Sequence, residues 1–234
     1  LSELDSSLRT KMTLTGKATE IFLGAAIHHA YSLLLRVCQL EHQLFEVLFV
    51  DSENTEGAPS DPPADDGAQN QSSKEVNVIV TSLCTLVCDG LRPLIIHENS
   101  VDELCRVAST LADDVRSQIA SVQLPTELLG ILEQGVDRTV CDTQERLVYC
   151  AEMRLRKEVQ LFKPLLAQLD YPQVLQETES GADSANGLDA AKAWFPPLRH
   201  TLALLSKLYG IVEPAVFEDF ASRAVRKCIQ SLES

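Results

Sequence analysis

Apolar residues recur at helical spacing along most of this chain. Between Ile21 and Val50 the positions Ala26, Ala30, Leu33, Val37, Leu40, Leu44 and Val47 step by four and three, and Leu23, Ile27, Leu34, Cys38, Phe45 and Leu48 widen the stripe. This predicts one long, well-buried helix, and thirty residues at about 1.5 Å each make a rod of about 45 Å. Leu44 then counts as core, so Leu44→Asp is expected to collapse the packing by burying an unpaired charge. A shorter helix is predicted before it over Leu1 to Lys17, ended near Gly16.

The next stripe, Val76, Val80, Leu83, Val87 and Leu94, predicts a helix from about Lys74 to His97, kinked where Pro93 removes a backbone donor. Ser100 with Glu103 forms a capping-box pattern, so a new helix starts after Asn99 and reaches about Val122. Pro125 suits the first turn of a further long helix, whose line is Val136, Val140, Leu147, Val148, Ala151, Leu155, Val159 and Phe162, stopped by Pro164. Leu165 to Pro172 reads as a connector. Pro196 and Pro197 open a helix carrying Leu198, Leu202, Leu205, Tyr209 and Val212, and Pro214 opens another with Phe217, Ala221, Val225, Cys228 and Leu232. No convincing strand and no fixed repeat interrupts these patterns. The fold class is all-α: elongated antiparallel helical bundles, with a helical body over 1–172 and a C-terminal pair over 188–234.

Two polar stretches separate the helices. Residues 51–73 hold Pro59, Pro62 and Pro63 among acids and amides, with almost nothing apolar to bury, and read as a disordered insert whose deletion leaves folding intact. Residues 173–187 read as a polar linker. Ten acids in or beside these stretches account for all but four of the net charge of −14, so the acidity belongs to linkers and not to a folded acidic face. That balance argues against nucleic acid or an anionic lipid surface as the main ligand. No run of eighteen apolar residues and no signal or lipidation motif is present, so membrane association is expected only through protein partners. Opening on Leu1, the chain reads as a fragment of a longer protein.

Candidate chemistry is sparse. Cys84 and Cys88 share one helix face with His97 downstream, but a structural zinc site needs a second ligand pair, so these thiols, Cys141 and Cys150 are expected in the core. Seven cysteines at no framework spacing fit buried thiols in a reducing compartment. His28 and His29 lie about 100° apart on a helix, one expected buried and one exposed. No nucleophile elbow, phosphate loop or metalloprotease motif occurs, so no enzyme, cofactor or metal is expected. Gly90, Gly130 and Gly135 are expected to allow close helix approach or a bend, and the basic groups Arg154, Arg156, Lys157 and Arg223, Arg226, Lys227 to be solvated helix faces. Trp194 and Phe195, directly after the linker, either staple the entry to the last helix pair or anchor a partner.

Colinear blocks carry a resemblance. They are Arg36-Val-Cys-Gln-Leu-Glu-His-Gln-Leu-Phe45, Asp89-Gly-Leu-Arg-Pro-Leu-Ile-Ile-His97 with Leu104-Cys105, Asp142-Thr-Gln-Glu-Arg-Leu-Val-Tyr149, Leu169-Asp-Tyr-Pro172, and Trp194-Phe-Pro through Leu205-Ser-Lys-Leu-Tyr209 to Cys228-Ile-Gln-Ser-Leu232. In these the chain resembles the middle to later part of the third-subunit family of the conserved oligomeric Golgi complex. The resemblance implies stacked helical rods, no enzymatic activity, and a tethering scaffold in retrograde intra-Golgi transport at the cytosolic face of the Golgi, as a peripheral membrane and cytosolic protein. It implies as partners the other subunits of that complex, with SNAREs, Rab GTPases, coiled-coil tethers and vesicle coat. Gly210 departs from the longer polar residue expected there and is expected to loosen the turn before Pro214. A helical adaptor of another trafficking complex, with the same fold and other partners, is the alternative.

Overall fold

The computed structural model describes residues 23–47, 66–164 and 194–233, and all regular structure there is helical. The elements are α1 (Leu23–Phe45), α2 (Asp66–His97), α3 (Val101–Ser109), a π-helical stretch (Thr110–Val115) leading into α4 (Arg116–Ser121), α5 (Thr126–Leu155) ending in a π-helical turn (Arg156–Gln160), α6 (Pro196–Leu208) and α7 (Pro214–Glu233). The helix predicted over Leu1 to Lys17, the connector at Leu165 to Pro172 and the linker at 173–187 lie outside the described residues.

α1 carries two apolar lines about half a turn apart. The bundle buries Ile27, Tyr31, Leu34, Leu35 and Cys38, and leaves Leu33, Val37, Leu40, Leu44 and Val47 exposed. Of the predicted stripe Ile27, Leu34 and Cys38 are buried as expected, but its line from Leu33 to Val47 is the outer face, and Leu44, 53% exposed, is no core residue. The buried line contains Tyr31, whose hydroxyl finds buried partners on α5, so a residue with a polar tip can sit at the centre of the packing.

α2 starts at Asp66, eight residues earlier than the composition suggested, which corrects the disordered reading for 66–73. No proline follows Pro63 before the apolar run, an acid suits a helix N-terminus, and extending a packed helix avoids the cost of nucleation. Its buried line is Val80, Cys84, Cys88, Leu91 and Ile95; of the predicted stripe only Val80 is fully buried, and Leu94 is exposed. The stretch Lys74–His97 has a mean hydropathy of 1.7 in its most apolar window, enough to cross a membrane by length and composition alone. Here it packs along α5 and α1. The helix continues through Pro93 to His97.

Ser100 caps α3 by accepting from the Glu103 amide at 3.3 Å. Glu103 does not complete the box: its buried carboxylate accepts instead from the Gly24 amide of α1 at 3.2 Å and pairs with Arg106 at 2.9 Å. α5 begins behind Pro125, which stands at the N-cap position. Close approach of α2 and α5 depends on Gly135, where an added Cβ would lie 2.1 Å from Cys84 Sγ. Gly90 and Gly130 face open space, so neither permits a contact.

Pro196 and Pro197 occupy the first turn of α6, as expected. Its buried residues are Pro197, Thr201, Leu204 and Leu208, and those of α7 are Phe220, Ala224 and Cys228. Leu198, Leu202, Tyr209, Val225 and Leu232, placed in the core by their spacing, are exposed. Thr201 hides the true line from a hydropathy reading, because its hydroxyl donates to the Pro197 carbonyl at 2.7 Å and the side chain then packs as an apolar one. Gly210 has φ of 77°, the left-handed conformation that closes a helix C-terminus, so glycine fits this turn and does not loosen it.

The last helix pair is fastened to the body by polar bonds. Gln144 donates to the Ile211 carbonyl at 2.8 Å, Lys207 pairs with Asp102, and Glu152 receives Arg223 at 2.9 Å and Lys227 at 3.1 Å. Arg223 and Lys227 are thus clamp residues, and Arg154 is held by Glu158 at 3.1 Å, so none of the three is a purely solvated charge.

Candidate interaction surface

The polar groups around Tyr31 satisfy one another. Tyr31 Oη lies 2.7 Å from Thr139 Oγ1 and 3.1 Å from the Gly135 carbonyl, and Cys88 donates to the same carbonyl at 3.4 Å. Cys84 donates toward the Ile131 carbonyl at 3.8 Å. Burial pushes the Tyr31 hydroxyl far above its ordinary range; the interaction between the two thiols raises Cys84, which burial raises further, and draws Cys88 down against the opposing effect of its own burial. A tyrosine kept neutral and donating to a carbonyl ties three helices together; it offers no base beside a nucleophile. Among the described residues no group of three or more His, Cys, Asp or Glu is placed to hold a metal ion.

All seven cysteines are free, and five are buried; Cys105 is half-buried and Cys141 is exposed. The core expectation for Cys141 is corrected: it projects outward from α5 near Glu145, while Cys150 on the same helix is buried. His28 is half-buried and accepts from the Gln118 side chain at 2.6 Å, whereas His29 is exposed, as their spacing required.

The two residues singled out after the linker separate in role. Phe195 is half-buried, its ring edge-on to Phe162 with centroids 5.6 Å apart, so it pins the start of α6 to the end of α5. Trp194 precedes it at 46% exposed, with a large apolar surface in solvent. The larger surface went unrecognised in the sequence. It is the outer line of α1 from Leu33 to Val47; Ile79 and Leu86 of α2 are exposed as well. One signal could have found it: a helix with two full apolar lines has more apolar surface than one neighbouring layer can bury.

The fold defines a class, an all-helical bundle with apolar side chains left exposed on its outside. Residues 2–234 match the family described as conserved oligomeric Golgi complex subunit 3, C-terminal. The chain belongs to that family. Relatives bearing the name conserved oligomeric Golgi complex subunit 3 include one from Mus musculus, 27% identical over 251 residues (89% of this chain, 28% of the relative), and one from Drosophila melanogaster, 28% identical over 241 residues (87% and 24%). The Schizosaccharomyces pombe relative is 26% identical over 165 residues, covering 64% of this chain. The chain spans about a quarter of the length of the curated relatives it matches. No solved structure matches it.

Proposed function

We propose that this chain is part of a non-enzymatic subunit of the conserved oligomeric Golgi complex, a protein-interaction scaffold for vesicle tethering in retrograde intra-Golgi transport. Family membership over residues 2–234 is the observation that supports this most. A bundle with apolar ridges on its outside suits the role, since it can hold contact faces at fixed spacing without a cavity or reactive group. The subunit acts at the cytosolic face of the Golgi, held peripherally through the other subunits, with SNAREs, Rab GTPases, coiled-coil tethers and vesicle coat as further partners. Trp194 serves as a partner anchor while Phe195 fixes its backbone. The body over 1–172 and the pair over 188–234 continue one rod. The test is the full-length protein tagged at its native level. Golgi localisation, co-purification of the other subunits and delayed recycling of resident Golgi enzymes on acute depletion are expected. A diffuse protein that brings down none of them would overturn the reading.

A further inference from the structure

The end of α5, the first turns of α6 and the second half of α7 meet at one end of the bundle. Glu158 receives Arg154 at 3.1 Å and lies 3.2 Å from His200, and Glu152 receives Arg223 at 2.9 Å and Lys227 at 3.1 Å. These are the only carboxylates between Cys150 and Lys163, and α6 has none, so both are already taken. Five further cations, Arg156, Lys157, Lys163, Arg199 and Arg226, are exposed around them with no acidic partner among the described residues. Helical spacing puts Arg156 one turn beyond Glu152, Lys157 one turn beyond Arg154 and Arg226 one turn beyond Arg223, while Arg199 adjoins His200. A cationic face of this density, on a chain of net charge −14, repels itself unless an acid covers it.

Three stretches of the chain lie outside the described residues, and charge and distance separate them. Residues 1–22 hold three acids and three bases, which cancel. Residues 48–65 hold five acids and no base, but they leave the bundle at its far end: Gln43 and Glu46 share a cleft with Ser121 and Pro125, and Asn77 bonds Glu127 at 2.8 Å. From Glu127 to Glu152 is about 38 Å along α5. Eighteen residues fully extended span about 60 Å, too short for the journey out and back. Residues 165–193 hold five acids against Lys192 alone, and both their ends are fixed on the cationic face itself, where the Phe162 and Phe195 rings meet with centroids 5.6 Å apart. From either end a chain reaching to the middle of this stretch covers about 20 Å, enough to cross the face.

We propose that the acidic stretch 177–189 of this chain is the ligand of the cationic end, with Glu177, Glu179, Asp183 and Asp189 pairing with Arg156, Lys157, Lys163, Arg199 and Arg226. Attachment at both ends holds the stretch at an effective concentration on the order of mM. A free acidic peptide or an anionic headgroup therefore binds there only by displacing it. A second copy is opposed by a net charge of −14 on each chain. The inference goes beyond the function proposed above and does not depend on it.

The test treats an equal mixture of light and isotopically heavy full-length protein with a water-soluble carbodiimide, which joins a lysine to a carboxylate in contact with it. Crosslinks from Lys157 to Glu177, Glu179, Asp183 or Asp189 within one copy are expected, and they should fade in about 0.5 M salt. Crosslinks from Lys157 to residues 48–65, to another subunit or between light and heavy copies, or none at all, would overturn the proposal. A variant carrying Glu177→Gln, Glu179→Gln, Asp183→Asn and Asp189→Asn should acetylate at Lys157 about threefold faster, relative to the distant Lys74, with an unchanged melting curve. An unchanged ratio sinks the proposal. The crosslinks are read on the unsubstituted protein, so they decide the matter even where the variant is unstable.

Discussion

Gly135→Ala is the sharpest test of the packing between α2 and α5. A Cβ there would sit 2.1 Å from Cys84 Sγ, about 1.5 Å short of the 3.5–4.0 Å at which non-bonded heavy atoms settle. Cys84 is buried and cannot swing freely, because a helix leaves its side chain few rotamers. Either the sulfur is forced off its well or the helices part, and overpacking of this kind costs about 1–3 kcal/mol. Against that, alanine stabilises a helix interior by about 0.5–1 kcal/mol relative to glycine. The net expectation is a loss of about 1–2 kcal/mol, or roughly 2–8 °C in Tm for a chain of this size. Cys84→Ala alone should cost about 1 kcal/mol for the vacated volume. In the double variant the new methyl occupies that space and the helix preference is realised, so the pair should couple favourably by about 1 kcal/mol or more. Urea unfolding of the four proteins under reductant, followed by far-UV circular dichroism, measures the cycle. A more stable Gly135→Ala in the wild-type background, or additivity within about 0.5 kcal/mol, would refute the reasoning.

Leu44→Asp should leave the melting temperature unchanged, since Leu44 is 53% exposed, whereas Leu104→Ala, at a fully buried position, should cost about 2–5 kcal/mol; thermal melts of the two side by side check this. Ser100→Ala should remove about 1 kcal/mol by freeing the Glu103 amide at the start of α3, read as a lower urea midpoint at constant slope. Under native reducing conditions a maleimide should label Cys141 first and Cys105 slowly, with all seven thiols reacting only in denaturant; mass-resolved peptide mapping that finds Cys84 or Cys88 labelled early would contradict their burial.

Helix positions were legible because proline and capping serine mark helix ends by local chemistry: Ser100 and Pro196 each act within a few residues of themselves. Which face of each helix turns inward was less legible. α5 was read well, with Val136, Leu147, Ala151, Leu155 and Val159 all buried, because it is the central helix and one line dominates it. α1 has two lines of nearly equal strength, and the choice between them is made by Tyr31 and its partners on α5, a contact spanning 108 residues that no local pattern carries. α2 and α6 conceal their buried faces for a related reason: Cys84, Cys88 and Thr201 belong to the core, yet read as weakly apolar or polar until their hydrogen bonds are known. Of the exposed apolar surface, only Trp194 stood out from sequence, and the outer line of α1 was counted as core.

The carboxylate of Glu103 on the Gly24 amide has a consequence for biosynthesis. The first turn of α1 is sealed by a residue that lies 79 positions later, and Tyr31 waits for Thr139, 108 positions on. At about 5–20 residues per second, a ribosome needs roughly 4–16 s after making Gly24 before its partner exists, and longer before the tyrosine is satisfied. During that interval both apolar lines of α1 face the cytosol, the one destined for the core and the one that stays outside. Nascent α1 is accordingly a segment of this chain that a chaperone would shield, and the need for it ends only when α5 has left the tunnel.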